Sequence, residues 1–155
     1  MTSRRLAILS AVLLSVVVAA CGSGSVATSV PSVAGGPLTV RDAWVRAAPA
    51  GGDTAAYFTI LNGCQTDDTL VGVTTTNARS AGLHQTTTDP SGMTGMQMAP
   101  QVKVPSCGTV QFAPGGYHVM LTGVSSELKM GDRVVLELSF EHAGVVTVTC
   151  DVRAS

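Results

Sequence analysis

Apolar and polar residues alternate most cleanly over 134–140, where Val134, Leu136, Leu138 and Phe140 take turns with Val135, Glu137 and Ser139. A period of two buries one face of a strand and leaves the other to water, so this segment is predicted to be a strand. Shorter runs of strand character cover 38–46 (carrying Trp44), 55–61 (ended by Asn62-Gly63), the β-branched stretch 69–75, and 81–87. Others cover 96–104, broken near Pro100, then 109–112, 117–122, and 145–152 after a turn at His142-Ala143-Gly144. No long stretch has a helical period; 127–131 has room for one helical turn. Many short strands at this spacing predict an all-β domain, an antiparallel sandwich or barrel. There is no internal repeat.

The N-terminal 36 residues do not share this pattern. Arg4 and Arg5 precede an apolar run, Leu6 to Ala20, that is short for a membrane span and reads as a signal peptide over 1–20. It ends in Val18-Ala19-Ala20-Cys21, which resembles a bacterial lipobox with Cys21 as the lipidated residue; an ordinary signal peptide with a chance cysteine is the alternative. Residues 21–36 then form the lipidated Cys and a Gly/Ser-rich flexible tether, and 37–155 form one domain. The expected location is the outer face of the bacterial cell membrane, periplasmic or extracellular, held there by lipid. A formal net charge of -1 and the absence of a basic cluster argue against nucleic acid.

With Cys21 set aside, Cys64, Cys107 and Cys150 remain. Cys150 is in phase with Val146, Val148 and Val152 and is expected to be a buried free thiol. Cys64 and Cys107 lie in loop-like contexts, and a Cys64–Cys107 bridge is expected in an oxidising compartment; three separate thiols are the alternative.

The chemistry concentrates in a few segments. In 117–122, Tyr117, Val119 and Leu121 fall on one face, which suits a core, while His118, Met120 and Thr122 fall on the other, expected to face solvent. Met96 and Met98 share a side of their own segment, and His84, out of phase with Leu83, is free to point away from the core. Thioethers and imidazoles gathered on a polar face are the donors that soft Cu(I) prefers. A thioether also needs no deprotonation and, unlike a thiolate pair, does not close into a disulfide outside the cytoplasm. Taken singly, each methionine reads as core filler and each histidine as a surface residue. His142 reads as a turn residue, Met130 as loop packing and Asp67-Asp68 as a solvated turn.

These residues resemble the periplasmic copper chaperone family PCuAC. His84, Met98 and the His118-Val119-Met120 triplet match the family's His, its central Met and its closing His-x-Met. Asp42-Ala43-Trp44-Val45-Arg46, Ala56-Tyr57-Phe58-Thr59-Ile60 and Asp68 to Val73 match its first strands, and Pro114-Gly115-Gly116-Tyr117-His118-Val119-Met120-Leu121 is the most specific piece. The resemblance implies a cupredoxin-like antiparallel Greek-key β-sandwich. It implies one Cu(I) held by His84, Met98, His118 and Met120. It also implies a non-enzymatic, monomeric carrier that supplies a copper acceptor such as the CuA centre of cytochrome c oxidase, through subunit II or its assembly factors. The chain departs from the family in three places. Thr86 stands where a methionine is common, the segment from His84 to Met98 is longer, and that from Met98 to His118 is slightly shorter, so Met96 or Met93 is an alternative sulfur. No His- and Met-rich tail follows Asp151-Val152-Arg153-Ala154-Ser155, so no second site is expected.

Three rival readings compete. An electron-transfer cupredoxin needs a Cys thiolate beside two histidines, and no Cys is closely followed by a His and a Met. A thiol oxidoreductase lacks its Cys-x-x-Cys. A non-catalytic surface binding lipoprotein with an incidental His/Met cluster is compatible with the same fold.

Overall fold

In a computed structural model, residues 38–63 and 66–154 are described. The signal peptide, Cys21 and the tether expected before residue 37 lie outside them, as does Cys64. Ten strands follow in order: β1 (Leu38–Arg46), β2 (Thr54–Asn62), β3 (Asp68–Thr74), β4 (Ala78–Thr88), β5 (Thr94–Met98), β6 (Val102–Val104), β7 (Thr109–Phe112), β8 (Tyr117–Val124), β9 (Arg133–Phe140) and β10 (Gly144–Arg153). They form one hydrogen-bonded sheet in the order β5-β4-β8-β7-β2-β1-β10-β9-β3-β6, with β8 also pairing β2. Its two halves close over a common core. Phe58, Ile60, Phe112, Val119 and Leu121 from one half meet Leu136, Leu138, Phe140, Val146 and Val148 from the other.

The alternation in β9 and β10 places every second residue in that core, as the period predicts. Three features depart from the expected pattern. The segment over 96–104 is two strands, and they lie at opposite ends of the sheet, β5 beside β4 and β6 beside β3. Pro100 falls between them and has no N–H to donate to a ladder. The sheet is not wholly antiparallel, since β1 pairs β10 in parallel and β7 meets β8 in parallel. The stretch 127–131 forms no helical turn: Leu128 bridges to Ala48, and a turn follows in which Gly131 takes φ 91°.

A bulge in β1 decides which way Trp44 faces. The register with β2 slips between Arg41 and Trp44, and Asp42 adopts φ 55°. The extra residue shifts the alternation, so that Val45 enters the core and Trp44 turns to the outer face, against Tyr57 at 4.6 Å between ring centroids.

Asp68 is buried, not the solvated turn expected from sequence. Its carboxylate accepts backbone N–H bonds from Thr69 (2.7 Å), His142 (3.0 Å) and Ala143 (2.8 Å), so β3 holds the β9–β10 turn. His142 is the turn residue expected, with Nδ1 3.5 Å from the same carboxylate. Met130, expected to pack a loop, is exposed. Cys150 is the buried free thiol expected. Cys107 is disulfide-bonded, and its N–H donates to the Gly63 carbonyl at 3.4 Å.

Burial opposes ionisation of Asp68, but the three N–H donors outweigh it and hold its pKa below 3.8. The stability that this carboxylate contributes is therefore complete above its unfolded pKa and is lost as pH falls through the lower folded value. Replacing Asp68 by Asn should cost about 1–3 kcal/mol at neutral pH and flatten the acid limb of stability, as read by urea unfolding across pH. Burial, reinforced by Asp151, pushes the Cys150 thiol up to about 12. Cys150 should resist thiol reagents at neutral pH until the domain is unfolded; rapid labelling of the native protein would contradict its placement.

Candidate metal centre

The candidate ligands come from three adjacent strands, and the ladder decides which of them meet. In β4, His84 is directly opposite Met98 of β5 on one side and His118 of β8 on the other. Residues directly opposite in an antiparallel pair project to the same face. Met98, His84 and His118 therefore form one cross-strand row on the outer face. Met120, two residues along β8 from His118, shares that face in the next row, opposite Gly82. Met96 stands in the row on the other side, opposite Thr86. Met93 lies beyond the β5 end, its N–H donating to Asp89 at 2.9 Å, away from the histidines.

The β7–β8 turn orients His118. Pro114 and Gly115, the latter at φ 84°, occupy the centre of a tight turn closed by Gly116 N–H donating to the Ala113 carbonyl at 3.0 Å. It brings the Gly116 carbonyl to 3.2 Å from His118 Nδ1. A carbonyl only accepts, so Nδ1 carries the proton and Nε2 keeps its lone pair. That Nε2 is buried and has no hydrogen-bond partner. Buried polar atoms are nearly always satisfied; a lone pair left open beside a second imidazole is what a metal ligand requires, and the Nδ1–carbonyl bond is the usual way of fixing one.

His118 is 4% exposed, and here the sequence expectation of a solvent-facing residue is wrong. The outer face of β8 is covered at this point by Tyr57, whose ring centroid is 6.5 Å from that of His118, and by His84 at 5.8 Å. Trp44 backs Tyr57, and the Arg46 guanidinium lies 6.0 Å from the Tyr57 centroid. Sequence reasoning missed this wall. Tyr57 alternates with the buried Ala56 and Phe58, which marks it as outward, but the covering by Trp44 depends on the β1 bulge. The opposite end of the row is open, with Met98 76% exposed.

Burial, and then the nearness of the His118 imidazole, lower the His84 pKa from 6.5. Both favour the neutral imidazole, the form that ligates. Among the described residues no group of three or more His, Cys, Asp or Glu could hold a metal ion. The thioethers of Met98 and Met120 on the same face are donors of the kind that soft Cu(I) prefers over hard cations. Nor is a thiolate at hand in the described residues: Cys150 is buried in the core and Cys107 is disulfide-bonded, which leaves a blue-copper centre without its sulfur.

The family model described as "Putative lipoprotein LpqE-like" matches residues 38–152. A relative from Leifsonia xyli subsp. xyli, "Putative lipoprotein Lxx21020", is 32% identical over 116 residues, 75% of this chain and 69% of the relative. Solved structures similar in fold and sequence include the following. The copper-bound PCuAC domain from PmoF2 matches with a TM-score of 0.66 and 28% identity over 80% of this chain and 98% of that one. The solution structure of CuI-DR1885 from Deinococcus radiodurans matches with a TM-score of 0.57 and 32% identity over 83% of each chain. The fold is thus the all-β, cupredoxin-like one of PCuAC domains, and the chain belongs to the LpqE-like lipoprotein family, whose domain is of the PCuAC type.

Proposed function

We propose that this domain is an extracytoplasmic carrier that binds one Cu(I) through His84, His118, Met98 and Met120 and passes it to a copper acceptor. The observation that carries this reading is the in-register row Met98–His84–His118, with the unpartnered Nε2 of His118 buried at its closed end. The copper-bound state of the PmoF2 domain and the Cu(I) state of DR1885 support the choice of cargo.

All four donors are neutral, so the bound ion keeps its charge and is held without thiolates. The Gly116 carbonyl fixes one imidazole, and the Tyr57–Trp44 wall keeps water from its back. The exposed thioether of Met98 leaves the other side open to an incoming ligand. Incoming ligands of the acceptor would each displace one donor, starting at the exposed Met98 thioether, with no change of oxidation state. Neutral donors and an open side suit a carrier. The acceptor we favour is the CuA site of cytochrome c oxidase, reached through subunit II or an assembly factor. Lipid on Cys21, with 21–36 as a tether, keeps the monomer at the membrane where such acceptors are found, and a Cys64–Cys107 bridge would keep those thiols from competing for the cargo.

Anaerobic titration of the full chain in detergent, against a coloured Cu(I) chelator, should give one tightly held Cu(I) per chain. His118→Ala, Met120→Ala and Met98→Ala should each weaken it by at least about tenfold, and Met96→Ala by less than Met98→Ala. Because His118 is buried, its removal should also cost the apo-protein about 1–3 kcal/mol, whereas Met120→Ala should leave apo stability close to wild type. No competition from wild type would overturn the carrier reading in favour of a surface binding lipoprotein.

A further inference from the structure

Gly82 stands in the interior of β4, where a glycine weakens a strand and commonly marks the close approach of something else. Its backbone gives no reason for the choice. Six described glycines, Gly115 among them, take positive φ, but Gly82 does not. No main chain crowds it either: a Cβ built there would meet only the imidazole of His84, with Nε2 at 3.5 Å and Cδ2 at 3.7 Å. The ring of His84 therefore leans back over Gly82. The residue directly across the ladder from Gly82 is Met120. The space over residue 82, which has room for a Cβ and is bounded by the His84 ring, therefore lies in the row of the Met120 thioether.

We propose that Gly82 is a positioning residue of this centre: a side chain no larger than a methyl there keeps open the space in which His84 Nε2 and the Met120 sulfur converge on the ion. This rests on the Cu(I) carrier reading and goes beyond it by assigning a residue that binds nothing itself. A methyl group fits at ordinary van der Waals distance from the ring. A β-branched side chain does not fit without turning the imidazole away from Met120. The same substitution would improve the strand, since β-branched residues suit a pleated surface better than glycine. Copper affinity and apo stability are therefore expected to move in opposite directions, which a purely structural role would not produce.

The test compares Gly82→Val, Gly82→Ala and, as a control, Ser80→Val in the full chain in detergent. Ser80 is exposed on the same strand and face, opposite Thr122. Three quantities are read: Cu(I) affinity by competition, the apo Tm, and the number of imidazole ligands by X-ray absorption at the copper edge. Gly82→Val should keep or raise the Tm, weaken Cu(I) by about 10–100-fold, and show one imidazole fewer. Gly82→Ala and Ser80→Val should remain close to wild type. Wild-type affinity with two imidazoles in Gly82→Val would overturn the proposal. If that variant fails to fold, Gly82→Ser is read in the same way, and undiminished affinity in it overturns the proposal. A wild-type chain that does not compete for Cu(I) would instead overturn the carrier reading on which the proposal rests.

Discussion

The centre depends on β8 being paired on both edges. β4 runs along one side of it from Ala78 to Gln85, and β2 holds the other at Thr54, Ala55 and Ala56. A strand fixed in this way cannot slip by one residue without exchanging its two faces. Val119 and Leu121 are locked into the core, so His118 and Met120 are locked outside it. The register that buries the apolar side chains also sets the spacing of the candidate donors, and the energy of one secures the geometry of the other.

Outside the core is not the same as open to water. The β1 bulge turns Trp44 outward, Trp44 covers Tyr57, and Tyr57 covers the back of His118. Without the extra residue at the bulge, the alternation of β1 would have carried Trp44 inward, and the imidazole would have faced solvent. The result is a row graded from a sealed imidazole to an exposed thioether. The proposed carrier would use such a gradient, one side for holding and one for exchange. A site closed all round would retain its cargo, and a site open all round would compete poorly for it.

The three candidate sulfurs show how local pattern and tertiary pairing divide the work. Met93, Met96 and Met98 are equivalent as sequence, three methionines in one short segment, and all three are exposed. Only the β4–β5 ladder separates them. It places Met98 beside His84, Met96 one row away opposite Thr86, and Met93 past the end of the strand. Asp68 makes the same point in reverse. Two consecutive aspartates read as a hydrated turn, yet one of them is buried under backbone donors contributed by residues more than seventy positions away.

The sequence alone determined most of the strands, though not the division of 96–104 into two, together with the apolar faces of β8, β9 and β10, the buried thiol of Cys150, and the donor types gathered near His84, Met98 and the His118–Met120 pair. These are local properties, since a period of two and the softness of a ligand are carried by a few adjacent residues. Tertiary structure alone decided the crossing of the chain at Pro100 from one sheet edge to the other, the parallel pairs, the burial of His118, and the lean of His84 over Gly82. Each depends on which strands are neighbours and on a single-residue bulge. Pairing between segments far apart in the chain leaves no periodic trace in either one.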